Sequence, residues 1–237
     1  MAMLLNGTDS KEISWKEVYQ IIADGKAETY LPVGTELVET LKDGRRVAFA
    51  VAAVDLYGDN EVIFVLRNSI GQHYMNLAWY SGDGWHACGM RTYLNQEILA
   101  LFPDDLVELM EEKNTLQLVK GQWVDSWDKL FLPSEYEVFG ERVYAEYNGI
   151  DKQFPLYTER EQRMVTDADG QPVRRWLSSF TAAYAFSYPA CFCHVHAYGH
   201  ANISASTHPH GVVPCFVIRK KAAEALLKTN QMGGETK

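Results

Sequence analysis

The stretch that most constrains the fold is a pair of apolar runs, RRVAFAVAAVDLY at 45–57 and NEVIFVLRNSI at 60–70. They flank the turn signal Gly58-Asp59-Asn60 and are rich in residue types that favour strands, so they predict a β-hairpin. Helical patterns lie on both sides. In SWKEVYQIIADGKA, Ser14 and Glu17 have capping-box spacing, Trp15, Val18 and Ile22 share a helical face, and Gly25 suits a C-terminal cap. In GMRTYLNQEILALFPDDLVELMEEK, Met90, Leu94, Ile98 and Leu101 line one face, and Pro103 ends or kinks the helix. DKLFLPSEYEVFGE predicts a strand end at Leu130–Leu132 and a second capping box, Ser134 to Glu137. From residue 145 to 218 short β pieces punctuated by Gly, Pro and Ser take over, and the tail KKAAEALLKTNQMGGETK reads as a short helix former with a frayed end. The expected fold class is α+β, with helices early and irregular antiparallel β in the C-terminal half.

A chain of 237 residues can bury a sizeable core in one large domain. No repeat or linker divides it. A formal charge of −9 excludes a phosphate-reading surface, so no nucleic-acid partner is expected. No apolar run reaches the roughly 20 residues of a membrane span. The opening MAMLLNGTDSKEIS lacks the basic and long apolar regions of a signal peptide, which points to the cytoplasm at synthesis, with a phage virion as the alternative destination. The four cysteines are too few and too clustered for a disulfide framework and are expected as thiols; Cys191 and Cys193, one residue apart, are poorly placed to pair.

Residues 177–210, LSSFTAAYAFSYPACFCHVHAYGHANISASTHPH, depart from everything before them. Lys, Glu, Gln, Met and Trp are wholly missing there, although these five types make up 52 of the 237 residues. At that rate the window should hold about seven of them. A buried strand region would also lack charge but would be rich in Val, Ile and Leu, of which the window has only Leu177, Val195 and Ile203. The missing set has a genetic meaning. If both adenines of an AAC or AAT codon become any base, the five missing types cannot arise, and every residue of 177–210 can. Adenine-directed mutagenesis by a diversity-generating retroelement leaves this signature. The products suit recognition: tyrosines offer rigid amphipathic area, while Ser, Asn and Thr give adaptable polar contacts, as in antibody paratopes. FCHVHAYGHA reads as a hairpin around Gly199, with Cys193 and Val195 on one strand face and Phe192, His194 and His196 on the other.

These pieces together resemble a family of C-type-lectin-like domains of unknown function from gut Firmicutes and their prophages, some of which are variable proteins of diversity-generating retroelements. The resemblance covers roughly residues 12–219. It rests on SWKEVYQIIADGKAETYLPVGTEL, on Arg91-x-x-Leu94-Asn95, on Asp128-x-x-Phe131-x-x-Ser134-x-x-Glu137, on QFPLY, and on the closing series from Trp176-Leu177 through Phe192-Cys193, Val195, Gly199, Ala201 and Gly211-Val212 to Pro214-Cys215-Phe216. The family's common Trp-Leu-Arg-Ser-Pro reads Trp176-Leu177-Ser178-Ser179-Phe180, so any role of that arginine is lost. The resemblance implies a C-type lectin fold over 12–219, an N-terminal arm at 1–11, a tail at 220–237, and a variable surface within about 177–210. The positions it assigns to that surface are Ser178, Phe180, Tyr184, Phe186, Tyr188, His194, His196, Tyr198, His200, Asn202, Ile203, Ser204, Ser206, His208 and His210. The calcium motifs of sugar-binding relatives are missing, and Gln171-Pro172-Val173 lacks the needed carboxylate, so calcium-dependent sugar binding is not inherited.

Other chemistries compete. Five of the seven histidines lie between 193 and 210, and His194, His196 and His200 could be the ligands of a zinc or copper enzyme. No acidic residue lies in the window to serve as ligand or base, and neither cofactor nor metal is expected. Formylglycine-generating enzymes, which share the lectin fold, suggest copper chemistry at Cys191, Cys193 and Cys215, but Cys193 and Cys215 read as small core residues. Trp79, Tyr80 and Trp85 read as packing rather than a stacking platform. The expected function is therefore non-enzymatic binding of a protein or glycan on a cell surface, from an oligomer or a virion component. A virion protein with no ligand of its own is the third reading. Near pH 6.5 the histidines are expected to titrate, making affinity pH-dependent.

Overall fold

The computed structural model describes residues 2–6, 9–77, 83–181 and 191–221. Strands begin at the second residue: β1 (Ala2–Asn6) and β2 (Asp9–Ile13) precede α1 (Trp15–Ala23) and the single-turn α2 (Ala27–Tyr30). Then come β3 (Glu36–Thr40), β4 (Arg46–Val54), β5 (Glu61–Leu66) and the short β6 (Gln72–His73). After α3 (Gly89–Thr92) and α4 (Asp104–Val107), the chain forms β7 (Met110–Glu111), β8 (Lys113–Val119) and β9 (Gln122–Asp128). Next are α5 (Glu135–Phe139), β10 (Val165–Thr166), β11 (Pro172–Val173) and β12 (Arg175–Phe180). The last strands are β13 (Cys191–Val195), β14 (Ala201–Ala205), β15 (His210–Gly211) and β16 (Cys215–Arg219).

This overturns the expected fold class, an α+β C-type lectin fold with its helices gathered early. Strand accounts for 38% of residues against 22% helical, and five α-helices are spread through the chain among several antiparallel sheets. Two local causes explain the misreading. β2 carries Lys11 and Glu12 at a sheet edge, where charge deters further pairing and also hides the strand pattern. The long helix expected from Gly89 buries Met90, Leu94 and Ile98, as its periodicity predicts, but breaks into α3, a π-helical stretch at Tyr93–Ile98 and a 3-10 turn at Leu99–Leu101. Pro103 then separates that turn from α4, and the charged run after Leu109 enters β7 and β8 instead of continuing as helix.

The larger sheet has the order β2-β1-β3-β4-β5-β16-β7. The expected hairpin is β4–β5, paired from Phe49↔Leu66 to Val54↔Val62 with an irregularity between Val51 and Ala53. Within the expected arm at 1–11, β1 and the start of β2 pair into this sheet. β16 returns from the far end of the chain to pair with β5, from Cys215↔Val65 to Arg219↔Glu61. Over this sheet lies α1, opened by the Ser14–Glu17 capping box and burying Trp15, Val18 and Ile22. The Trp15 ring meets Phe49, Phe64 and Phe216 edge-on at 5.9–6.2 Å, and its Nε1 donates to buried Glu39 at 2.7 Å. The second sheet has the order β14-β13-β12-β15-β6, and β8–β9 and β10–β11 form separate two-stranded ribbons. Among the described residues no helix is long and apolar enough to cross a membrane. The tail beyond Lys221 lies outside the described residues.

Candidate ligand-binding surface

The described residues of the window at 177–210 supply most of β12, all of β13 and β14, and the start of β15 in the second sheet. Its hairpin forms around Gly199: β13 pairs with β14 from Cys191↔Ala205 to Val195↔Ala201, closed by the His196 N–H donating to the His200 carbonyl at 2.8 Å. Gly199 sits at φ +80°, and a Cβ there would come within 2.6 Å of the Arg160 carbonyl oxygen. Arg160 also donates from Nε to the Tyr198 carbonyl at 2.6 Å, fixing the turn against a segment outside the window. Gly199→Ala is therefore expected to cost about 1–3 kcal/mol. Thermal unfolding measures it, and a change under about 0.5 kcal/mol would mean that the turn relaxes freely.

The assigned positions fall into three groups. Tyr198 is 61% exposed, His200 and His208 are exposed, and Phe180, His196, Asn202, Ile203 and Ser204 are half-buried. These eight share the turn, the edge strand β14, the turn that follows it and the end of β12. The rings of His196 and His200 stack at 4.3 Å, His196 lies 5.2 Å from Tyr198, and the Ser204 hydroxyl is 3.1 Å from His208 Nδ1. Ser178, His194, Ser206 and His210 are buried and cannot be displayed as assigned. The alternation failed because β13 is a central strand covered on both faces, so every one of its five residues is buried. Tyr184, Phe186 and Tyr188 lie outside the described residues, as do Trp79 and Tyr80.

Beneath the surface, His194 and His210 pack together at 4.8 Å, with Trp176 6.0 Å from the first and 4.3 Å from the second. Neither ring nitrogen of His194 has a hydrogen-bond partner, nor does His210 Nε2. Burial, then the neighbouring His210 and Arg174, push His194 down to about 3. Burial, with Arg174 and His208 nearby, pushes His210 down to about 4. These two therefore do not titrate near pH 6.5 in the folded protein. The metal reading needs His194, His196 and His200 to converge, but His194 packs with His210 while His196 and His200 stack on each other. Among the described residues no three His, Cys, Asp or Glu side chains are grouped to hold an ion. Cys88, Cys191, Cys193 and Cys215 are buried free thiols, and burial pushes each thiol up, Cys88 to about 12, away from thiolate chemistry.

The motif residues outside the window build two locks below the sheet. In the first, Arg91 Nε donates to both Asp128 oxygens at 2.8 Å, and buried Trp85 donates from Nε1 to Asp128 at 3.0 Å. Asn95 exchanges hydrogen bonds with the Leu130 backbone at 2.9 and 3.1 Å. In the second, Ser134 and Glu137 form the expected capping box of α5, and Glu137 also holds the Lys113 ammonium at 2.8 Å and the Tyr57 hydroxyl at 2.8 Å. The capping pattern signalled Ser134 and Glu137, but nothing local signalled Lys113, Tyr57 or Asp151, whose carboxylate accepts from the Ser134 hydroxyl at 2.5 Å.

A family model described as a domain of unknown function (DUF6273) matches residues 60–220, which include the whole window, the first lock and all of the second but Tyr57. The chain belongs to that family. No curated protein and no solved structure matches it.

Proposed function

We propose that this is a non-enzymatic ligand-binding protein whose C-terminal surface is diversified by a retroelement and recognises a protein or glycan on a cell surface. The observation that carries the reading is the absence of five residue types across 177–210, a segment whose described residues include the turn and the edge strand of one sheet. Its support lies in the division of labour. Tyr198, His200 and His208 are exposed, and the half-buried Phe180, His196, Asn202, Ile203 and Ser204 surround them, while Trp176, Phe192 and Cys193 anchor the strands below. Exposed aromatic and small polar side chains on a rigid sheet make a paratope-like surface. Display in several copies on a virion would multiply weak contacts.

Sequencing the DNA beside the gene tests the reading. A reverse transcriptase gene and a near-copy of the 3′ end, differing opposite adenines alone, are the expected finds, and a locus with neither would sink it. The surface also makes a stability prediction. Replacing Tyr198, His200, Asn202, Ser204 and His208 singly by other members of the reachable set should shift stability by no more than about 0.5 kcal/mol each. Losses of 2 kcal/mol or more at these positions in urea denaturation would show a surface that does not tolerate diversification.

A further inference from the structure

A recess of about 30 Å³ opens between β8, the start of α5, the 141–148 loop and the end of β12. The recess has room for one or two waters, or for one group of that size. Its polar wall includes Asp151, Ser134 and Thr115, all more than nine-tenths buried, and the Thr115 hydroxyl has no hydrogen-bond partner. Its outer wall is aromatic: Tyr136 and Tyr147 stack at 4.1 Å, and Phe180 stands at the rim.

The charges around the recess do not balance. Behind it, Glu137 and Asp151 share a single buried ammonium, Lys113, which is bonded to Glu137 at 2.8 Å, while Asp151 takes a hydroxyl hydrogen bond from Ser134. At the mouth, Glu141 and Glu146 face Arg142, which Glu146 takes at 2.5 Å. Glu135 is satisfied by the backbone N–H groups of Val143, Tyr144 and Ala145. Five carboxylates, Glu135, Glu137, Glu141, Glu146 and Asp151, thus face two cations, Lys113 and Arg142. The buried group of Lys113, Glu137 and Asp151 has one carboxylate more than it has cations, in surroundings where an unbalanced carboxylate is costly. The Glu137 carboxyl is pushed up by burial and by Asp151. Burial opposes the charge on Lys113, yet Glu137 and Asp151 outweigh it and hold the ammonium above its ordinary range, as a cluster short of positive charge should.

We infer that this recess receives a primary ammonium group, the head of a lysine side chain presented by a partner protein. Asp151 supplies the counter-charge and Thr115 a hydroxyl acceptor, and the stacked tyrosines and Phe180 flank the methylene stem, as aromatic faces do for cations and their alkyl arms. A metal ion fits less well, because the aromatic wall offers it nothing. This goes beyond the diversified surface: of the lining, only Ser179 and Phe180 belong to the window, so the site would serve as a constant anchor beside a variable rim.

The test titrates the full chain with Nα-acetyl-lysine N-methylamide, followed by NMR of the tyrosine side chains. Saturable binding with a Kd on the order of 1–10 mM is expected for one side chain, with the norleucine and Nε-acetyl analogues at least about tenfold weaker. Asp151→Asn should weaken binding about tenfold. Because it also turns the charged acceptor of the Ser134 hydroxyl into a neutral amide, Thr115→Val and Tyr147→Leu, each expected to weaken binding about threefold in a folded protein, read the same contact independently. Equal binding of the norleucine analogue, unchanged binding in both Thr115→Val and Tyr147→Leu, or displacement of the probe by equimolar calcium would overturn the assignment. None of these results bears on whether 177–210 is diversified.

Discussion

Lys113→Met is expected to destabilise the protein by about 3–5 kcal/mol at neutral pH, the cost of removing one partner from a buried ion pair. Lys113 is 8% exposed and Glu137 1%, and they meet at 2.8 Å. The Lys113 ammonium also lies 5.0 Å from the Phe131 ring and 5.4 Å from that of Tyr57. Without it, Glu137 and Asp151 remain as two carboxylates in the interior with no cation between them. Lys113 starts β8, Glu137 belongs to α5, and the Tyr57 hydroxyl that donates to Glu137 follows β4, so one cluster ties three parts of the chain together. Urea denaturation gives the size. The double variant Lys113→Met/Glu137→Met should recover part of the loss, because both charges then leave together. A single-variant loss below about 1 kcal/mol would place Lys113 in solvent-like surroundings and remove the charge imbalance at Asp151.

What was legible in the sequence followed the range of each signal. Capping boxes act over three residues, and both Ser14–Glu17 and Ser134–Glu137 form as read. The β4–β5 hairpin and the turn at Gly199 are likewise local, fixed by turn residues between short runs. Sheet order is not local. Nothing near Cys215 says that β16 will lie between β5 and β7, and that placement ties the first and last described strands into one sheet. The same limit governs the site. Period-2 alternation sorts strand residues into two faces, but it sorts exposure only where one face is open. On β14, at the edge, all five residues stay partly exposed; on central β13, His194 is as buried as Cys193. The missing residue types singled out the segment without saying which of its histidines would reach solvent.

Those buried histidines should make stability fall steeply in mild acid. In the unfolded chain each titrates near its ordinary 6.5, whereas in the folded protein burial holds His194 at about 3 and His210 at about 4. Between these limits the unfolded state binds more protons, so stability rises with pH and is lost as pH falls from 6.5 toward 4. The contribution is fully present above pH 6.5. By pH 5 each histidine should have cost about 2 kcal/mol relative to pH 8, on the order of 4 kcal/mol for the pair, a large share of a typical domain's stability. The groups facing the pair, Arg174, His208, His196 and His200, all oppose its protonation and reinforce the trend. His194→Leu separates this from general acid denaturation. Both His194 ring nitrogens lack partners, so an apolar side chain of similar size should be neutral or stabilising at pH 8, and its advantage over the parent should grow by about 2 kcal/mol at pH 5. Urea unfolding of the two proteins from pH 8 to pH 5 reads the difference directly. Parallel curves would mean that His194 is protonated, and hence solvated, in the folded state. The surface above it would then be more open than the packing of Trp176, His194 and His210 allows.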